Sequence, residues 1–312
     1  MPGTRPVGQW PRLLAGPMVR RVSAQRAHIW ICTKMACSAQ IELHSGGEVA
    51  HNTSALPVEI GPRVTLHQLG ARMFMAVLQV DLPAGAAAGS TFSYDVGIHE
   101  GTTRRGLFQL GLLGGTAAAV GAEFDAKRSE VPLGYAEGRL PSFRTPVNHA
   151  SALRFVHASC RKPHGGGKDE PEGMELVDAH LADVAAGRLA ESERVQQLIL
   201  TGDQIYADDV APGLLAALTE AGHELLGWDE PIPGIVPPIS FMVDPGWRTR
   251  FLSMSDIELK EIPEDGAPDY SGSHLLRFGE WCAMYLFAWS DSLWRIDSHG
   301  EYHLPAHPRL LL

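Results

Sequence analysis

Four cysteines in 312 residues, Cys32, Cys37, Cys160 and Cys282, are too few and too irregularly spaced for a disulfide framework, and no paired CxxC spacing marks a zinc site. Free thiols or one isolated metal ligand fit them better. Basic charge is also scarce: 26 Lys and Arg stand against 36 Asp and Glu, a formal charge of −10. That balance argues against a protein that coats nucleic acid, whose phosphates are held by clustered Lys and Arg; it leaves room only for a local basic patch. Long apolar runs are missing. No stretch reaches the roughly 18 to 20 residues of a spanning helix, and the Gly- and Ala-rich segment from Gly106 to Val120 is too short. Near the N-terminus Arg5, Arg12, Arg20 and Arg21 accompany only a short Leu13-Leu14-Ala15 patch, not a secretory apolar region. We expect a cytoplasmic protein without a membrane span. No internal repeat stands out.

What is present is globular. Apolar residues make up 45% and charged residues 20% of the chain, enough for a sizeable core and roughly two domains. Residues 13–105 read as an all-β part. Ala27 to Thr33, Ala39 to His44, Met73 to Leu82 and Thr91 to Ile98 are strand-like segments separated by Gly, Pro, Ser or Asn clusters, a punctuation that predicts a β-sandwich. Leu82-Pro83-Ala84-Gly85 reads as the turn of a last hairpin leading into Thr91, and Tyr94 is expected to pack between layers. Over residues 106–150 the signal weakens into an irregular connector, with Gly114, Pro132, Pro141 and Pro146 as breakers.

From 151 to 312 the pattern changes to α/β. Leu153 to Ala158 is a strand ending at Ser159-Cys160. Glu172 to Leu189 carries Met174, Val177, Leu181 and Val184 at helical spacing, and Leu198 to Leu200 is the next strand. Pro212 to Ala221 follows as a helix, with Pro at its start and Gly222 at its end. Strand, helix, strand, helix order implies a parallel sheet with right-handed crossovers, which sets the ends at Cys160 and Asp203 side by side. Residues from Trp228 to Asp269 are rich in Pro and acid, as in a surface insertion. Phe278 to Trp294 is an aromatic helix, with Trp281, Tyr285, Phe287 and Trp289 expected in the core and Cys282 as an apolar filler.

The densest chemistry lies in Leu198 to Val210. An apolar strand breaks at Gly202, where glycine permits a sharp turn, and delivers Asp203, Tyr206, Asp208 and Asp209 at the carboxyl end, where ligands of such sheets bind. A carboxylate and a phenol three residues apart can both reach one hard cation. A local Asx turn, with Tyr206 as an ordinary packed aromatic, is the other reading of the same residues. With Cys160 at the neighbouring strand end, the set becomes thiolate, carboxylate and phenolate, suited to a strongly Lewis-acidic cation.

Ala158-Ser159-Cys160 together with Gly202-Asp203-Gln204-Ile205-Tyr206 resembles the Ala-Ser-Cys and Gly-Asp-x-x-Tyr motifs of the PhoD-like alkaline phosphatases, a branch of the metallophosphatase superfamily. The β part, with Gly16-Pro17-Met18-Val19 before its first strands, resembles the sandwich that precedes the catalytic domain there. The resemblance implies a metal-dependent phosphate ester hydrolase with an iron(III) and calcium centre. On that template Cys160 and Tyr206 ligate iron and Asp203 bridges iron and calcium, while the two metals polarise a phosphoryl group. Arg161, Lys162 and His164 would offset substrate phosphate charge, or else form a solvated basic loop. Asp208 and Asp209 would be calcium or outer ligands, or would cap the following helix.

The chain departs from the family in lacking a Trp-Asp-Asp-His type motif after Asp209; Trp289-Ser290-Asp291 is not one. His299, His303 and His307 are spaced by four, but Gly300 and Pro305 oppose a helix there, so they read as a tail. The expected fold is therefore a β-sandwich followed by the first portion of a metallophosphatase-type α/β layered sheet, an incomplete domain at 151–312 from a C-terminally truncated member. Its exposed sheet edge predicts self-association. The alternative function is a non-enzymatic module in which the sandwich binds a partner and the α/β half is a degenerate scaffold, with Cys160 merely a small residue at a strand end.

Overall fold

The computed structural model describes residues 7–114, 132–160, 173–208, 210, 212–231, 248, 274–290 and 293–294. They fall into two units. The first holds Pro11–Leu69 and Phe74–Gly202; the second holds residues up to Trp10, Gly70–Met73 and the described residues from Asp203 onwards.

The all-β part of the first unit is built as expected from period-two alternation. One sheet runs in the order β1 (Leu13–Val22), β2 (Arg26–Thr33), β7 (Met73–Asp81), β6 (His67–Gly70). The other runs β10 (Ser142–Arg144), β8 (Thr91–Glu100), β3 (Ser38–Ser45), β4 (Glu59–Ile60), with β5 (Val64–Thr65) on β3 and β9 (Thr103–Arg105) on β8. Along β2 the side chains of Ala27, Ile29 and Ile31 are fully buried, and along β3 those of Ala39, Ile41 and Leu43. These rows join Leu78, Tyr94, Val96 and Ile98 in one apolar layer shared by both sheets. Each large side chain so buried contributes about 1.5–3 kcal/mol. Surface pairs such as Arg104 with Glu42 and Asp95, both at 2.9 Å, add about 0–1 kcal/mol, so the layer holds the sandwich.

Three expectations change here. β1 is a ten-residue strand rather than an approach to the first strands, because it lies at the sheet edge, where Pro17 costs no ladder bond. Its register with β2 slips between Ala15 and Met18, and Gly16, at φ +88°, sits where a Cβ would lie 2.7 Å from the Trp30 carbonyl oxygen. The expected hairpin after Leu82 is a crossing between sheets: β7 pairs with β2, whereas β8 pairs with β3. Finally, residues 106–150 feed the core. Leu107, Leu110, Leu113, Leu140 and Phe143 are buried in the layer, and β10 extends β8's sheet.

The remainder of the first unit is β11 (Phe155–Ala158), α1 (Gly173–Ala185), a 3-10 turn at Glu191–Glu193 and β12 (Gln197–Leu200). β11 and β12 pair in parallel, Phe155 opposite Gln197 and Ala158 opposite Leu200, as the strand–helix–strand order required. A polar seam fastens this piece to the sandwich. Tyr135 Oη donates to Asp178 Oδ1 at 2.9 Å, Thr91 Oγ1 to Glu191 Oε1 at 2.6 Å, and Arg194 Nη2 to the Ser142 carbonyl at 2.8 Å.

In the second unit α2 (Pro212–Leu226) packs on α3 (Phe278–Trp289). Gly222 does not end α2; it is where the two helices touch. A Cβ there would lie 2.4 Å from the Gly279 carbonyl carbon, and one on Gly279 2.8 Å from the Gly222 carbonyl oxygen. The helix ends four residues later at Leu226, before Gly227 at φ +73°, with the Ala71 and Arg72 amides donating to the carbonyls of Leu226 and Leu225 at 2.9 Å. Cys282 and Phe287 are buried as expected, but Phe278, Trp281 and Tyr285 are 42%, 40% and 44% exposed. The core face of α3 is the other one, built from Gly279, Ala283 and Leu286, because only small and aliphatic residues admit so close a crossing. Beside it lies a buried node. Arg248 donates through Nη1 and Nη2 to the two Glu280 oxygens at 3.0 and 2.6 Å, and Thr219 Oγ1 donates to Glu280 Oε1 at 2.7 Å.

Gly222→Ala is expected to lower the denaturation midpoint. The overpacking cost of about 1–3 kcal/mol exceeds the gain in helix propensity of up to about 1 kcal/mol. Gly173→Ala, with nothing within 4 Å of the added carbon, should leave the midpoint unchanged or raise it. Glu280→Ala strands Arg248, 1% exposed in its side chain, and should cost about 3–5 kcal/mol. Burial opposes ionisation of Glu280, but the hydrogen bonds and charge of Arg248, then Thr219 and the Leu276 amide, hold its carboxyl below the ordinary range. Its contribution is therefore present at neutral pH and lost as pH falls through the carboxylate range. Urea midpoints measured from pH 7 to pH 3 should fall less in Glu280→Ala than in wild type.

Candidate metal centre

The parallel pairing of β11 and β12 decides where the expected ligands begin. After Ala158, opposite Leu200, the ladder makes one more bond, from the Thr201 amide to the Ala158 carbonyl at 3.1 Å. Both chains then leave regular structure. Ser159 leads to Cys160, an exposed residue at φ +56°, and the Ser159 hydroxyl donates to Cys160 Sγ at 3.4 Å.

On the other strand Gly202 leads to Asp203. The left-handed backbone of this turn falls on Asp203, at φ +53°, while Gly202 has nothing within 4 Å of a built Cβ. Aspartate tolerates this region better than most residues because its short polar side chain bonds locally. Three residues on, Tyr206 Oη donates to Asp203 Oδ2 at 3.3 Å. Downstream the loop is tied back by His274, whose Nδ1 meets the Asp208 carbonyl at 2.9 Å, and by the Leu275 amide, which donates to the Ala207 carbonyl at 2.7 Å. Burial, together with Arg248, lowers the His274 pKa against the opposing pull of Asp208, so the ring is neutral at neutral pH. Asp208 is thus placed by its backbone, with an exposed side chain.

The boundary between the two units lies between Gly202 and Asp203. Cys160 therefore belongs to the first unit, whereas Asp203 and Tyr206 are joined in the second. Arg161, Lys162, His164, Asp209, His299, His303 and His307 lie outside the described residues. Among the described residues no three His, Cys, Asp or Glu side chains group closely enough to hold a metal ion, and no helix is long and apolar enough to cross a membrane.

The donor chemistry can still be tested against a hard cation. Ligand oxygens about 2.3–2.6 Å from one ion lie roughly 3 Å or more from each other, and the Asp203 and Tyr206 oxygens are 3.3 Å apart. The pair fits two adjacent positions of one coordination shell. Among the described residues the Asp203–Tyr206 pair is the part of such a ligand set whose spacing suits one cation.

One contact escaped sequence reasoning: His157 Nε2 and Thr201 Oγ1 are 2.9 Å apart. His157 stands opposite Ile199, so Thr201, two residues on, shares its face of the sheet. The signal was present in the alternation, but the pairing register that turns it into a contact was not.

A family model described as a domain of unknown function (DUF7800) matches residues 10–102. The match covers under a third of the chain, spans β1 to β8 and includes neither Cys160 nor Asp203. No curated protein matches the chain.

Of the four cysteines, Cys32, Cys37 and Cys282 are buried and Cys160 is exposed. Burial raises the Cys37 pKa and pushes that of Cys282 up to about 11. A thiol reagent at pH 8 should modify one site quickly, and Cys160→Ser should remove that phase; the other thiols should react only on unfolding. Rapid modification of two or more sites in the native protein would contradict this placement.

Proposed function

We propose that the chain is a metal-dependent phosphate ester hydrolase of the PhoD-like type. The observation that carries the reading is the parallel β11–β12 pair, each strand followed within three residues by a left-handed non-glycine residue with a ligand side chain, Cys160 and Asp203. Non-glycine residues in that region cost energy and cluster at functional sites. The hydrogen bond between Tyr206 and Asp203 supports the same reading, since it sets two oxygen donors side by side.

Iron(III) and calcium, when bound, would supply Lewis acidity towards the phosphoryl oxygens. Cys160 would offer them a thiolate from the first unit, and Tyr206 and Asp203 a phenolate and a carboxylate from the second. Arg161, Lys162 and His164, which directly follow Cys160 in sequence, would offset the charge of a phosphate ester. Asp208 and Asp209 would serve calcium or its outer ligands. Four cysteines in the thiol form support a reducing compartment such as the cytoplasm. Self-association through the β11–β12 edges belongs to the same reading, supported by the 55%, 42% and 42% exposure of Phe155, Leu198 and Ile199.

Protein purified without chelators should retain iron and show a visible phenolate-to-iron absorption band, lost in Tyr206→Phe. Asp203→Asn should lower hydrolysis of a chromogenic phosphate ester at least about 100-fold, as removal of a charge-stabilising group in a catalytic site does. A metal-free wild-type protein, with ester hydrolysis equal in wild type and both variants, would sink this assignment and leave the sandwich as a binding module.

A further inference from the structure

We infer that His157 and Thr201 form a cross-strand clamp that positions Cys160; the part of this claim that concerns metal rests on the function proposed above. The clamp lies wholly within the first unit. β11 and β12 offer only four residues each to their ladder, and an isolated pair of strands is marginal by itself. Past Ala158 and Leu200 the Thr201 amide still donates to the Ala158 carbonyl. Cys160 then takes a left-handed conformation at φ +56°, which only its surroundings can impose.

The His157 side chain supplies a second bond. Thr201 is the diagonal neighbour of His157 on the same face, a separation that a long side chain spans, and Nε2 meets Oγ1 at 2.9 Å. The contact locks the last residue before Gly202 to the strand that leads into Ser159-Cys160. Both residues are exposed, so the bond adds little to global stability. Its effect is instead local, on the direction in which the Cys160 sulfur is presented. His157 and Thr201 are thus positioning residues, acting through the β11 end rather than on a substrate.

The test uses the full chain and four variants: His157→Ala, Thr201→Val, the double variant, and His157→Gln, whose terminal amide reaches where Nε2 stood. One readout needs no metal. The rate of Cys160 modification by a thiol reagent in chelator-treated protein should change at least about threefold in His157→Ala and in Thr201→Val, the two effects should not add in the double variant, and His157→Gln should stay near wild type. The other readout is iron. Retention against a competing chelator should weaken about tenfold in the two single variants, the lower end of the range for outer-shell partners of ligands, again with rescue by His157→Gln and with the unfolding midpoint unchanged. Thiol rates and iron retention equal to wild type in both single variants would overturn the clamp, as would equal losses in His157→Ala and His157→Gln. A wild-type protein that binds no iron overturns the phosphatase reading instead, and the clamp is then judged on the thiol rates alone.

Discussion

Everything described in the first unit hangs on the apolar layer between its two sheets. Ile29, Ile31, Ile41, Leu43, Leu78, Val96 and Ile98 are at most 2% exposed, and their combined burial is the one large favourable term available to that unit. Because the layer fixes β8, it fixes β10 beside it. Ser142 of β10 then receives Arg194, and Thr91 at the start of β8 bonds Glu191. Those contacts hold the chain just before β12. The rim at Thr201 is therefore positioned by a chain of contacts that begins in the sandwich. A short parallel pair that would be marginal alone is stable because of what its flanks are tied to.

The second unit is organised by a different constraint, the absence of side chains at one point. Gly222 and Gly279 let two helices meet backbone to backbone, a contact that a larger residue at either position would break, while Phe278, Trp281 and Tyr285 of α3 lie exposed. The buried charges of Arg248 and Glu280 sit beside this contact, fully paired with each other and with Thr219. Such a pair is worth little over an apolar substitute, but losing either partner is costly. It specifies how the helices meet more than it strengthens them.

Much of the fold was legible in the chain. Alternation from Ala27 to Thr33, from Ala39 to His44 and from Thr91 to Ile98 marked strands within one or two residues of β2, β3 and β8, because a half-buried strand must repeat every two residues. Helical spacing likewise located α1 and α2. β1 was hidden by Gly16 and Pro17, which break propensity but are tolerated on an edge strand. The supposed hairpin after Leu82 failed because local turn residues do not reveal which sheet a strand joins. Gly222 looked like a stop signal since a glycine needed for packing and one needed for termination are the same letter.

The candidate site divides in the same way. Sequence by itself determined the residue types, a thiol at the end of one strand and a carboxylate and phenol at the end of the next, since these follow from spacing and strand length. It also determined that the two strands run parallel, because a helix separates them. Only the tertiary structure decided that Asp203 rather than Gly202 carries the left-handed backbone, that Tyr206 donates to Asp203, and that His157 meets Thr201 across the sheet. Each of these depends on register and on backbone torsion, quantities set by the balance of contacts over the whole unit and not by the identity of the residue that displays them.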